Sequence, residues 1–395
     1  MERVPCLRVS LCRAQQIREH LQSRDFLDRS LCMVKEPSGT VLLPILSSCL
    51  PQIDQTFLKD VTTVWCQPSA LSKKERRRKS GKLEDVLQEL LQSHGEIWTK
   101  ELREDLPRSF QWHGDLVLLG QNCFSLPQWK KIDQKLWHAV AKGLGAKRLA
   151  RMSRISSNGF RAPQVTILLG EYSWVKHVDN GITYEFDVTK CMFSAGNITE
   201  KLRVAGFDCR GETVVDLYAG IGYFTLPYLV HAGAAHVHAC EWNPNAIEAL
   251  RKNLVTNKVQ DRCTVHPGDN RQIQLCDIAD RVNLGLIPSS EDGWPVACRL
   301  LNKTTGGFLH IHQNVTSPNI IGTHATDDAN SGGSVRGADR EAWKAWADNA
   351  ASHIACLLRE LTATLWKTNI RHIERVKSYA PRVHHVVLDL ECRPA

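Results

Sequence analysis

From Glu212 onward the sequence predicts a doubly wound α/β fold, and three observations carry that expectation. Short apolar runs at Val214–Leu217, His236–Cys240, Cys263–His266, Arg281–Leu286 and Gly307–His312 alternate with helical patterns, the order that builds a parallel sheet with helices on both faces. A Gly-rich stretch, VDLYAGIGYFT (Val215–Thr225), lies where the first run turns into an apolar helix-like segment, Phe224 to Val230. Two later strand-like runs, WKTNIRHIERV and RVHHVVLDLEC, are joined only by KSYAPR, too short for a crossover helix, so they should pair antiparallel. A seven-stranded sheet with one antiparallel edge strand accommodates them all.

The residues before this sheet read as smaller α+β domains. Residues 1–66 mix short apolar runs such as Thr40–Leu46 with polar stretches, giving a small α/β unit. Residues 67–82, QPSALSKKERRRKSGK, are basic and poor in apolar side chains, which predicts a solvated linker; a nuclear-import or RNA-contact role for Lys73–Lys79 stays open. A middle α+β domain over 83–200 follows, with helices from Leu83 to Leu106 and a strand at Asp115–Gly120. A helix is predicted over Trp129–Gly143, with Ile132, Leu136, Val140 and Leu144 on one stripe. A strand at Gln164–Gly170 precedes WVKHVDNGITYEF, where Asn180-Gly181 between alternating flanks signals a hairpin. Lys142, Lys147, Arg148, Arg151, Arg154 and Arg161 succeed one another with no acid among them, either as a solvated face or as a contact for a phosphate backbone. Within the domain expected over 201–395, residues 316–338 are rich in Gly, Ser and Asn and read as a disordered insertion. The helix after it carries Trp343, Trp346, Ile354, Leu357 and Leu361 on its apolar side.

Composition sets outer limits. A chain of 395 residues, 43% hydrophobic and 23% charged, is globular with two or three domains. Its formal charge of +8 permits a polyanionic partner without demanding one. No apolar run approaches the roughly 20 residues of a membrane span. The stretch MERVPCLRVSLCRAQQIREH lacks the apolar core of a signal peptide, so a cytoplasmic location is expected. The 14 cysteines show neither a CxxC pair nor zinc-ligand spacing, which argues for reduced, mostly buried thiols and no metal.

Gly220-Ile-Gly222-Tyr-Phe-Thr225 meets only the first two glycines of the dinucleotide fingerprint. The flanking acid discriminates better. A dinucleotide would set its pyrophosphate against this loop, where Asp216 adds like-charge repulsion to an anion site. S-adenosylmethionine has no phosphate, and a carboxylate favours its sulfonium and ammonium, so Asp216 argues for that ligand over NAD. The plain alternative is an aspartate that caps the following helix. Glu241, in HACEWNP, stands about 20 residues past the glycines, where an acid can accept hydrogen bonds from both ribose hydroxyls; this position suits NAD equally. Asp269-Asn270, in HPGDNR, lies at the end of the third strand, where a side-chain acceptor can take the adenine amino group. Asp216, Glu241 and Asp269 are thus expected around one crevice of a Rossmann-like, class I S-adenosylmethionine-dependent methyltransferase-like sheet.

The stretches FDVTKCMFSAGNITEKLR (Phe186–Arg203), VVDLYAGIGYFTLP, HACEWNPNAIEAL, GDNR, DRVNLGLIPSSEDGWP, GGFLHIHQNV and VKSYAP follow one another over about residues 100–392. In combination they resemble the tRNA wybutosine-synthesizing protein 2 family, aminocarboxypropyltransferases related to the guanine-37 methyltransferases of tRNA. The N-terminal third matches more loosely, and residues 316–338 depart from the family in length and content. The resemblance implies that Ser194, in MFSAGN, and Lys201, in TEKLR, contact S-adenosylmethionine alongside Glu241, Asp269 and Asn270. A lysine and a hydroxyl suit the carboxylate of its methionine end. Read without the resemblance, Lys201 is a solvated helix residue.

S-adenosylmethionine has three electrophilic carbons on sulfur, and orientation decides which is transferred. Many base methyltransferases carry Asn/Asp-Pro-Pro-aromatic after the fourth strand, and the guanine-37 relatives carry Asn-Leu-Pro; here Leu284-Gly-Leu-Ile-Pro288 replaces both, as in the aminocarboxypropyl family. The resemblance therefore implies transfer of the 3-amino-3-carboxypropyl group to C7 of 4-demethylwyosine at position 37, in the anticodon loop of phenylalanine tRNA. No nucleophilic side chain is required, and no general base is identified. His310 and His312, near the end of the fifth strand, read first as packed or surface histidines. A guanine-37 N1-methyltransferase, a catalytically inactive RNA-binding scaffold and an NAD oxidoreductase stay as alternatives.

Overall fold

Two structural units divide the chain, 1–193 and 194–395. The computed structural model describes residues 4–10, 13–28, 30–36, 39–53, 61–66, 73–155, 163–193, 197–318 and 331–395. In the first unit, β1 (Val4–Ser10), α1 (Ala14–Ser23), β2 (Val34–Lys35), β3 (Thr40–Pro44) and β4 (Thr62–Cys66) form an antiparallel sheet in the order β2-β3-β1-β4 with one helix on it. Leu7 and Val9 of β1 and Val41 and Leu43 of β3 alternate toward Ile17 and Leu21 of α1, closing a small core.

Next come α2 (Lys73–Ser93), α3 (Lys100–Glu104), β5 (Phe110–His113), β6 (Leu116–Leu119), α4 (Pro127–Ile132), α5 (Gln134–Leu144), β7 (Arg148–Ile155) and β8 (Pro163–Leu169), with the sheet order β5-β6-β7-β8. The expected linker over 67–82 needs correction: residues 67–72 lie outside the described residues, but helix begins at Lys73. Lys, Arg and Glu are good helix formers, and the helix is anchored further along by the buried Leu83, Leu87 and Leu91 at four-residue spacing. The single helix expected over Trp129–Gly143 is two, divided at Asp133, whose φ of 54° and ψ of −140° lie outside any helical region and break the course of the chain. Its stripe of Ile132, Leu136, Val140 and Leu144 is buried as predicted. The hairpin of β9 (Trp174–Asp179) and β10 (Ile182–Asp187) turns at Asn180-Gly181.

Two arginines of the basic run are committed inside this unit. Arg148 Nη2 lies 2.5 Å from Asp115 Oδ1, and Nη1 donates to the carbonyls of Tyr172 and Trp174 at 2.5 and 2.9 Å. Arg151 donates to the Cys123 carbonyl at 3.3 Å and lies 5.1 Å from the Trp137 ring centre. Lys142 and Lys147 are exposed, and Arg161 lies outside the described residues. We therefore expect Arg148→Ala to lower the unfolding free energy of this unit by about 2 kcal/mol, the size of hydrogen bonds to a charged group. Urea denaturation checks this; a loss below about 0.5 kcal/mol would return Arg148 to the solvated face.

The second unit comprises α6 (Ile198–Ala205), β11 (Thr213–Asp216), α7 (Thr225–Val230), β12 (His236–Glu241), α8 (Pro244–Thr256), β13 (Cys263–Pro267), β14 (Arg281–Leu284), α9 (Trp294–Leu300), β15 (Gly307–Thr316), α10 (Ser331–Thr362), β16 (Trp366–Ala380) and β17 (Val383–Pro394). They build a seven-stranded sheet in the order β13-β12-β11-β14-β15-β17-β16. The first five strands run parallel, and β17 is antiparallel to both of its neighbours. The antiparallel strand is thus not the edge, as expected, but is inserted between β15 and β16. Its run His384–Leu390 is continuously buried, as an interior strand requires, whereas β16 alternates with exposed positions.

Strand residues Val215, Val282, Leu309 and Leu388 pack with Trp294 and Leu300 of α9 and with Ala347, Ala350, Ile354 and Leu358 of α10. The three- and four-residue spacing of that last set aims it at the sheet, so Leu358 is buried where Leu361 was expected and Leu361 is exposed. Because α10 starts at Ser331, the latter part of the expected disordered insertion is helical; residues 319–330 lie outside the described residues. Among the described residues, no helix is long and apolar enough to cross a membrane, and no His/Cys/Asp/Glu group could hold a metal ion.

Candidate functional site

The carboxyl ends of β11, β12 and β13 converge at the Gly-rich loop. Gly220 and Gly222 have φ of 56° and 102°, a region that L side chains rarely adopt, and a Cβ on Gly220 would lie 2.7 Å from the Tyr223 ring. The loop is held from below by Asp216, which is fully buried. Its Oδ2 accepts from Thr225 Oγ1 at 2.8 Å and its Oδ1 from Asn283 Nδ2 at 3.0 Å, while burial pushes its carboxyl above the ordinary range. Asp216 accordingly sits under the loop in the helix-tying role, not on the crevice wall. Asn283 escaped the sequence reading, because nothing in the four residues RVNL announces that its side chain faces another strand.

Glu241, at the end of β12, is braced by three backbone donors. Oε2 accepts from Gly220 N at 2.8 Å, and Oε1 accepts from Trp242 N at 3.0 Å and Asn243 N at 2.8 Å. Burial pushes this carboxyl up as well, against those hydrogen bonds. The bond to Gly220 sets the carboxylate and the loop in one fixed arrangement, and Oε2, with a single donor, keeps acceptor capacity for a ligand hydroxyl. Past β13, Asn270 Nδ2 donates to the Leu217 carbonyl at 2.7 Å, drawing this turn against the Gly loop. Asp269 caps the turn by accepting from Arg271 N at 2.9 Å; the Arg271 guanidinium, 2.5 Å from its Oδ2, holds its carboxyl below the ordinary range. The structure thus brings Gly220, Gly222, Glu241 and Asn270 together, with Asp269 beside them and Asp216 beneath.

The segment after β14 closes the next side. Pro288 accepts from Asn314 N at 2.8 Å, and Ser290 Oγ donates to the His312 carbonyl at 3.2 Å, so Gly285–Ser290 is pinned to the far end of β15. A nucleoside ligand fits the chemistry of this end of the sheet: a fixed carboxylate for hydroxyls and polar side chains for a base.

Comparison with known proteins places this geometry in a lineage. Residues 175–326 match the family model described as TRM5/TYW2 methyltransferase domain, and residues 87–173 and 9–74 match two described as TYW2 N-terminal domain. A Danio rerio protein described as tRNA wybutosine-synthesizing protein 2 homolog is 55% identical over 407 residues, covering 100% of both chains. The chain belongs to the tRNA wybutosine-synthesizing protein 2 family. A Homo sapiens protein of the same description is 48% identical over 96% of this chain and 92% of its own. Among solved structures, Pyrococcus horikoshii TYW2 in complex with MeSAdo superposes with a TM-score of 0.58 at 28% identity, covering 79% of this chain and 99% of that one. Trm5b from Pyrococcus abyssi, at 21% identity and TM-score 0.56 over 99% of both chains, shares the fold.

In this wybutosine-synthesizing family member, two residues singled out through the family resemblance fare differently. Ser194 lies outside the described residues. Lys201, on α6, is 2% exposed, so it is not the solvated helix residue that periodicity alone gives. Its helix is fixed by a buried chain of charges. Arg203 Nη2 is 2.7 Å from Glu200 Oε1 and 3.0 Å from Asp389 Oδ1. Asp389 Oδ1 is 2.6 Å from His310 Nδ1, His310 Nε2 is 2.8 Å from Arg281 Nη1, and Arg281 reaches Glu212 Oε2 at 2.8 Å. A guanidinium only donates, so His310 Nε2 accepts and Nδ1 carries the proton that it donates to Asp389. Burial, which pushes the His310 pKa down, agrees with this neutral ring. His312 is equally buried, with Nδ1 3.0 Å from His385 Nε2. Both histidines are packed inside the sheet core.

Proposed function

We propose that this chain transfers the 3-amino-3-carboxypropyl group of S-adenosylmethionine to C7 of 4-demethylwyosine at position 37 of phenylalanine tRNA. The observation that carries the reading is the 55% identity over the whole length to a tRNA wybutosine-synthesizing protein 2 homolog. S-adenosylmethionine supplies a carbon already activated by a sulfonium leaving group. In the transfer, C7 forms a bond to the methionine Cγ, the Cγ–S bond breaks with its electron pair going to sulfur, 5′-methylthioadenosine leaves, and the C7 proton passes to solvent. The protein's share is positioning. Glu241 would take the ribose hydroxyls, Asp269 and Asn270 the adenine edge, and Lys201 with Ser194 the methionine carboxylate, while Gly220 and Gly222 leave room for the nucleoside. Asp216 holds the loop. Leu284–Pro288, pinned to β15, would face the arm that is transferred. Residues 83–200 are the proposed partner of the tRNA, with the exposed Lys142 and Lys147 as phosphate contacts. A cytoplasmic site of action goes with this reading.

The test follows the atom that moves. With phenylalanine tRNA bearing 4-demethylwyosine and S-adenosylmethionine labelled in either the methyl group or the methionine carboxylate, only the carboxylate label should enter RNA, with methylthioadenosine accumulating. Methyl label in RNA with S-adenosylhomocysteine as by-product would replace the reading with a methyltransferase.

A further inference from the structure

The edge strand β16 is irregular along its pairing with β17. Its pairing with β17 shifts register three times, between Ile370 and His372, Arg375 and Lys377, and Ser378 and Ala380. In the last shift Ser378 pairs with His384 and Ala380 with Val383, which leaves Tyr379 as the extra residue of a bulge. Bulges concentrate beside functional sites because they re-aim one side chain. Here the re-aimed side chain is a tyrosine 51% exposed, with Lys377 Nζ 4.9 Å from its ring centre. Blunting of a sheet edge would be served by the lysine alone; it does not account for an aromatic ring turned toward water.

Two observations place and stiffen this tip. Along β15, Asn314 bonds Pro288 of the Leu284–Pro288 segment, and directly after it Val315 and Thr316 pair with His384 and Val383, and Ser317 N donates to the Arg382 carbonyl at 2.9 Å. The tip therefore stands a few residues beyond the segment that closes the candidate site, at the same end of the sheet. From behind, Ser378 Oγ is 3.0 Å from His384 Nδ1, and His384 Nε2 is 3.1 Å from Asp339 of α10.

We propose that this tip is a docking point for the RNA substrate, with the Tyr379 ring stacking on an unpaired base near the modified nucleotide and Lys377 and Arg382 facing the adjoining phosphates. An exposed ring beside a cation, on a rigid support, is the chemistry that grips a single-stranded loop: the ring takes a base face and the cation its backbone. The inference rests on the tRNA reading above. It is tested with the full chain as parent, Tyr379→Ala, Tyr379→Phe and Lys377→Ala, measuring affinity for phenylalanine tRNA across a salt series and for S-adenosylmethionine by calorimetry. Tyr379→Ala should weaken tRNA binding about 10-fold or more, the effect of losing one stacked base, while Tyr379→Phe stays near the parent. Lys377→Ala should reduce the salt slope by about one phosphate contact. S-adenosylmethionine affinity should stay unchanged in all three. Parent-like tRNA affinity in Tyr379→Ala, or an equal loss for both ligands, would overturn the inference. A parent that binds no tRNA would remove the functional reading itself, and this inference with it.

Discussion

Asp389→Ala is expected to lower the unfolding free energy of the second unit by about 3–5 kcal/mol, the loss typical when one partner of a buried ion pair is removed. The carboxylate joins Arg203, on α6, to His310, on β15, and both partners are largely or wholly buried. Without it Arg203 keeps Glu200 and the Phe207 ring, and the His310 Nδ1 proton loses its acceptor. Burial pushes the Asp389 carboxyl up, but His310 and Arg203 outweigh it and hold it below the ordinary range. Its contribution should therefore be complete above the ordinary carboxylate pKa of about 3.9 and vanish only as pH falls through the lower folded value. Urea unfolding at neutral pH measures the effect, and a loss under about 1 kcal/mol would show that α6 is held by packing instead.

On the proposed reading, Glu241→Ala should weaken S-adenosylmethionine binding by about 3 kcal/mol, more than a hundredfold, since the ribose loses a charged acceptor. The loss has a second source. The carboxylate that would meet the ribose also accepts from Gly220 N, so its removal frees the loop as well as the ligand contact. Glu241→Gln separates the two, because one amide oxygen can still accept from a backbone donor, and it should fall between parent and alanine. Calorimetric affinity within twofold of the parent for Glu241→Ala would place the nucleoside elsewhere.

Much of the catalytic sheet was legible because its signals are local. Period and turn chemistry marked each parallel strand, and Gly220 and Gly222 marked the loop where a strand turns into a helix. The position of β17 was not legible, because pairing of strands far apart in sequence decides which run lies inside. The same reason hid the Arg203–Asp389 contact, whose partners are 186 positions apart. Asp216 was visible as a residue at the mouth of the loop, yet its direction was not: the partner that turns it inward, Asn283, lies 67 positions away. The basic stretch from Lys73 misled for another reason, since its composition suits a solvated linker and a helix equally, and the buried leucines further on decide the matter.

The insertion of β17 between β15 and β16 also shapes how the sheet must assemble. Leu309 on β15 meets Leu390 on β17 across 81 positions of chain, so this pairing cannot begin until a long loop has closed. Until then the apolar flank of β15, with Leu309 and Ile311, waits as an open edge in a partly folded chain. Such an edge is a template for wrong pairing between molecules. Refolding yield should accordingly depend on protein concentration, with dilution protecting β15 during the interval before its distant neighbour arrives.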